Sequence, residues 1–99
     1  EICDWIDQYE AKFGNAPNIG SAYGYQYMDL TARALELAGK DLTVDTFIEA
    51  LESIKDYKIP FGASVLSFGP EKHLGSNDSY LFMVKDGAFV QMDVKNYTY

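Results

Sequence analysis

The chain has 99 residues, the length of one small domain, and 47% of them are apolar, which suits a folded core and not a disordered tail. Its 15 acidic and 8 basic residues leave a net charge of −7, which argues against nucleic acid, whose binding rests on lysine and arginine neutralising phosphates, and against an anionic membrane surface. With Cys3 as the only cysteine and His73 as the only histidine, neither an internal disulfide nor a cysteine–histidine metal framework is expected.

No apolar run approaches the roughly 18 residues of a membrane span. The sequence opens on Glu1 without an initiator methionine or a signal-like segment, so it reads as a mature protein or as a cut from a longer one. Ile2, Trp5, Ile6, Tyr9 and Phe13 then recur at helical spacing, with Asp7, Gln8, Glu10 and Lys12 between them, and predict an amphipathic helix. Gly14 is its expected stop, and the stretch NAPNIG carries turn chemistry.

The tyrosines of YGYQY could line one face of a strand or open a helix. Gln26, Asp29, Arg33, Glu36 and Lys40 decide between the two, because their spacing of three and four residues makes a polar stripe that alternation cannot produce. The predicted helix is N-capped at Ser21 and stopped at Gly39. One apolar flank carries Tyr23, Tyr27, Leu30, Ala34 and Leu37, and the other Met28, Ala32 and Leu35, so burial on at least two sides is expected. Ala32, Ala34 and Ala38 would let a neighbour come close. Gly24 costs the helix about 1 kcal/mol relative to alanine and suggests a close approach by a backbone or ligand, or a late helix start.

Thr43 caps a third predicted helix, with Asp45 in its first turn and Val44, Phe47, Ile48, Leu51 and Ile54 on its apolar face; its end is expected near Asp56. Pro60, Gly62, Gly69 and Pro70 then bracket a short strand over residues 64–68, whose Leu66 and Phe68 side is the more apolar. A polar loop follows. Two apolar runs, residues 80–85 and 88–92, flank Asp86-Gly87, the signal of a type I′ hairpin. The tail KNYTY either adds a strand or frays.

These few strands cannot cover the second helix, so either the chain self-associates, for instance as a homodimer, or a larger protein supplies the cover. No catalytic set emerges. His73 lacks a partner at any recognised spacing and reads as a surface histidine, and the carboxylates fall mostly on solvated helix faces. The glycines form no phosphate-binding fingerprint, and the loop SNDS lacks the acidic spacing of a calcium site. Neither a metal nor a cofactor is expected, and a binding or structural role is favoured over an enzyme.

Taken in order, Phe13 with Pro17, Gly24-Tyr25, Ala34 to Gly39, FIEALESIK (residues 47–55), VLSFGPEKHLG (residues 65–75) and VKDGAFV (residues 84–90) resemble the C-terminal part of type I periplasmic solute-binding proteins of the branched-chain amino acid and amide group. The likeness covers nearly the whole chain. It implies an α/β fragment of a two-lobed fold, with three helices followed by a hinge strand and a C-terminal β-hairpin. Residues 1–58 would belong to a helical lobe, and residues 59–99 would supply the hinge strand, loop and hairpin. The implied role is an extracytoplasmic receptor, periplasmic or a cell-surface lipoprotein. It would close on a small amino acid-like solute and deliver it to the membrane permease of an ABC transporter. By the same resemblance Ser21, Ala22 and Tyr23, just where the long helix starts, are the candidate ligand residues, and a helix N-terminus suits a solute carboxylate. Two alternatives stay open. One is a small interaction domain that self-associates through the Tyr23–Leu37 face. The other, weaker, is a hydrolase using paired carboxylates.

Overall fold

The computed structural model describes residues 2–58, 61, 64–92 and 95–96, with side chains to residue 92. Helix α1 (Ile2–Phe13) leads to α2 (Ile19–Ala38) and α3 (Val44–Ser53). Among the described residues six short strands follow: β1 (Tyr57–Lys58), β2 (Val65–Leu66), β3 (Asp78–Ser79), β4 (Phe82–Lys85), β5 (Ala88–Gln91) and β6 (Lys95–Asn96). They pair antiparallel as β1–β2, β3–β6 and β4–β5, so the fold is mixed α/β.

Each helix has a local cause. Gly14 ends α1 at a positive φ of 76°, where its N–H reaches the Glu10 carbonyl at 2.8 Å. Asn18, not Ser21, is the N-cap of α2. Its Oδ1 accepts from the Ser21 N–H at 3.0 Å, and Ser21 Oγ accepts in return from the Asn18 N–H at 3.3 Å. This reciprocal box starts the helix three residues earlier than a Ser21 cap would. It also removes a late helix start as the explanation of Gly24, which sits inside the helix with no described atom beyond its own stretch of helix backbone within 4 Å of where its Cβ would stand. Thr43 and Thr46 form the same kind of box at α3. Helix α3 stops at Ser53, short of the expected Asp56. The Ile54 backbone is already extended, and Asp56 takes a left-handed φ of 52°, a conformation aspartate tolerates. Its N–H is held by Ser67 Oγ at 2.9 Å, which turns the chain into β1.

The core lies where α2 meets α3. Ala34 is completely buried, with Ala50, Ile54 and Tyr57 nearly so, and Leu30, Ala38, Phe47, Leu51, Leu66 and Phe68 pack around them. Ala34 and Ala38 act as the small residues that admit a neighbour, whereas Ala32 faces outward. Leu66 and Phe68 are half-buried against the core while Val65 is exposed, so the Leu66 and Phe68 side is the one that packs inward. The strand ladder itself covers only Val65–Leu66, paired with β1, an element too short to leave a periodic signal. Asp86 and Gly87 both adopt positive φ, 52° and 78°, the geometry of a type I′ turn. Beyond the β4–β5 ladder, the Met92 N–H reaches the Leu81 carbonyl at 2.7 Å, so the hairpin nearly fills its expected span. The tail adds strand β6 at Lys95–Asn96; Pro60, Gly62 and residues 97–99, which also carried expectations, lie outside the described residues.

The radius of gyration is 16.5 Å, with extents of 54 × 39 × 18 Å. A compact domain of this length has a radius of about 13 Å. The chain is a flat slab, and a slab buries little. On α2 the side chains of Ile19, Tyr23, Tyr27, Met28, Leu35 and Leu37 are all exposed, as the expectation of an under-covered helix requires. Among the described residues, no helix is long and apolar enough to cross a membrane.

Candidate ligand-binding site

The three candidate residues sit together in the first turn and a half of α2. Ser21 is half-buried, and its hydroxyl is committed. It donates to Tyr9 Oη at 2.9 Å, which ties α1 to the start of α2, while accepting from Asn18. The Ala22 N–H is bound to the Asn18 carbonyl at 3.1 Å. Tyr23 is half exposed, at 50%, and its ring stacks on Tyr27 with centroids 6.1 Å apart and planes 12° from parallel. Of the three, Tyr23 is the side chain that presents surface outward, while Ser21 and Ala22 set the helix start that positions it.

Beside this turn lies an aromatic cluster that spacing alone does not assemble. Trp5 is its hub, with ring centroids 5.4 Å from Tyr9, 5.6 Å from Tyr25 and 4.5 Å from Phe61. Tyr25 closes the set on Phe61 at 5.6 Å, and Phe13 extends it from Tyr9 at 4.5 Å. The pairs are tilted or edge-on, as ring quadrupoles favour. Tyr25 therefore packs against α1 and Phe61, on the other side of the helix start from the Tyr23–Tyr27 pair. The α1 spacing marks Trp5 and Tyr9 as inward-facing, but nothing in the sequence brings Phe61 to them.

The polar stripe of α2 is only partly solvated. Tyr57, 4% exposed, donates to Asp29 Oδ2 at 2.7 Å, and Arg33 Nε donates to the same oxygen at 3.1 Å. The Arg33 guanidinium also lies 5.1 Å from the centre of the Tyr57 ring. Asp29 is thus a structural acceptor as well as a partly solvated carboxylate. Burial pushes the Tyr57 hydroxyl up from 10.0 to about 12, and its hydrogen bond to Asp29 and the Asp29 charge push the same way. The folded chain then holds this proton more firmly than the unfolded chain does. The resulting stability is complete below pH 10.0 and is lost as pH rises towards about 12. Tyr57→Phe should cost about 1.5–3 kcal/mol at neutral pH, as loss of a hydrogen bond to a charged acceptor. It should also flatten the fall in urea midpoint between about pH 10 and about pH 12 relative to the parent chain. Equal alkaline slopes in the two proteins would contradict this assignment.

Between this node and the end of α3 runs a cleft of ≈ 580 Å³, lined by Arg33, Glu36, Leu37, Ile54, Lys55, Asp56, Tyr57 and Lys58. Its charges are mixed in sign. Among the described residues, no group of three or more His, Cys, Asp or Glu side chains is placed to hold a metal ion. Cys3 is exposed on α1 as a free thiol.

Three helices lead into short antiparallel strands, with aromatic side chains gathered round a capped helix start, in a mixed α/β unit. A family model described as periplasmic binding protein matches residues 1–88, and the chain belongs to that family. The family is one of solute-binding receptors that work outside the cytoplasm. No curated protein and no solved structure matches the chain.

Proposed function

We propose that this chain is the C-terminal portion of an extracytoplasmic receptor that binds a small amino acid- or amide-like solute by hinge closure and hands it to an ABC-transporter permease, with no chemistry of its own. Residues 1–58 form part of one lobe, and residues 59–99 carry the hinge strand, loop and hairpin. Ser21, Ala22 and Tyr23 meet the solute, with Tyr23 as the contact and the start of α2 favouring a carboxylate. The supporting observation is the family membership over residues 1–88, joined to the outward presentation of Tyr23 at a rigidly capped helix start. Closure would follow from the solute's preference for the closed arrangement.

The test is calorimetric titration of the intact receptor with a panel of amino acids and amides. Tyr23→Ala should weaken the preferred solute about tenfold, the loss of one aromatic contact of about 1.4 kcal/mol. Tyr27→Ala, which removes the stacking partner, should weaken it less. Unchanged affinity in Tyr23→Ala would remove this residue from the site.

A second role is favoured by a separate observation, the uncovered apolar side chains of α2 from Tyr23 to Leu37. An exposed patch of that kind marks an interaction surface. The chain on its own should therefore self-associate in sedimentation runs at rising concentration and bind a hydrophobic dye. A monomer that excludes the dye would dismiss self-association.

A further inference from the structure

The cleft between the C-terminal half of α2 and β1 holds an arginine that is fixed in place and only partly used. Arg33 Nε donates to Asp29 Oδ2 at 3.1 Å, and its guanidinium lies against the Tyr57 ring, whose own hydroxyl holds the same Asp29 oxygen. A hydrogen bond and a buried ring thus set the pose of the fork. Its two Nη groups make no hydrogen bond or ion pair among the described residues, although Glu36 stands one turn further along α2, at a spacing that suits pairing. We infer that this cleft is a binding site for a small aliphatic carboxylate, separate from the solute site at the start of α2, with the carboxylate on the free edge of Arg33 and the tail on Leu37 and Ile54.

The rest of the lining narrows the choice of ligand. The cleft's ≈ 580 Å³ falls within the range of about 300–1,000 Å³ of ordinary small-molecule pockets. Lys55 Nζ is spent on the carbonyls of Glu52 and Phe68, and Asp56 Oδ1 accepts from Ser67 Oγ. The charged groups left without a partner among the described residues are the Nη edge of Arg33, Lys58 and Glu36. Two of these three are cations, in a chain whose net charge is −7. Ile54 and Tyr57 are buried and Leu37 is exposed, so an apolar wall stands beside the cations.

A single carboxylate fits this set. A guanidinium presents N–H donors that match both oxygens at once, which an ammonium group does not. Because Arg33 is already held, little of its freedom is lost on binding. A second negative charge on the ligand would meet Glu36. Arg33 lies about 15 Å of helix rise beyond Tyr23, so one small molecule does not span both places.

The experiment is methyl-resolved NMR of the full chain titrated with sodium hexanoate, with hexanol as the uncharged comparison. Hexanoate should move the Leu37 and Ile54 methyls saturably, with a Kd of about 1 mM, while the Ile19 methyls at the start of α2 stay still. Hexanol should bind about fivefold more weakly. Hexanoate should lose about the same factor in Arg33→Lys, which keeps the charge but not the fork. Glu36→Gln removes the unpaired carboxylate and should tighten hexanoate about twofold. The buried Ala34 and Ala50 methyls report that each variant is folded. Methyls that do not saturate, equal affinity for hexanol, parent-like binding in Arg33→Lys, or weaker binding in Glu36→Gln overturns the proposal.

Discussion

Replacing Tyr57 with alanine should cost about 3–5 kcal/mol, the range for removing a large aromatic side chain from a core. Domains of this size hold about 5–15 kcal/mol in total. The loss is concentrated because so little else is buried. Ala34, Ala50, Ile54 and Tyr57 are the only buried hydrophobic side chains among the described residues, and Tyr57 is much the largest of them. The change also strips Asp29 of one of its two donors, leaving Arg33 alone on that oxygen. Urea unfolding followed by circular dichroism would measure the effect. Comparison with Tyr57→Phe separates the ring from the hydroxyl, and most of the loss should belong to the ring. A midpoint within error of the parent chain would mean that Tyr57 is not a core residue.

Ala34→Leu is the second large effect, and it comes from adding atoms. Ala34 is 0% exposed where α2 crosses α3, opposite the similarly small Ala50. A leucine there has to push the helices apart or leave its preferred rotamer, at a cost of about 1–3 kcal/mol. Ala32→Leu, two positions earlier on the outer face, supplies the control and should stay within about 0.5 kcal/mol of the parent. Equal stability of the two variants would place the helix contact elsewhere.

Local order was legible wherever it had a local cause. The spacing of Trp5, Tyr9 and Phe13 and of Phe47, Leu51 and Ile54 predicts α1 and α3, and Asp86-Gly87 predicts the hairpin turn, because each rests on neighbours within a few residues. The cap of α2 falls at Asn18 and not at the expected Ser21 because both are good capping residues and act on each other. The polar stripe of α2 was correct as a helix signal and misleading as a solvent signal. Periodicity cannot see that Tyr57 comes back to Asp29 and Arg33, or that Phe61 comes back to Trp5. For the same reason His73 reads as an isolated surface residue until α3 brings Glu52 to it. The candidate residues at the start of α2 owe their selection to family resemblance. Their spacing alone would not have separated Tyr23 from Tyr25, which turns to the aromatic cluster.

The hairpin carries one further consequence. Every side chain described from Leu81 to Met92 is exposed, with Phe89 at 81%, and β4 and β5 pair only with each other among the described residues. A lone two-stranded ribbon is marginal in water, and its outer N–H and C=O groups are templates for another strand. Only Lys85 and Asp86 place charge along this ribbon, too little to deter edge-to-edge recruitment. When the chain is handled at high concentration, fibrous aggregation should begin here, and a lysine at Val84 or Phe89 should suppress it while leaving the helical core intact.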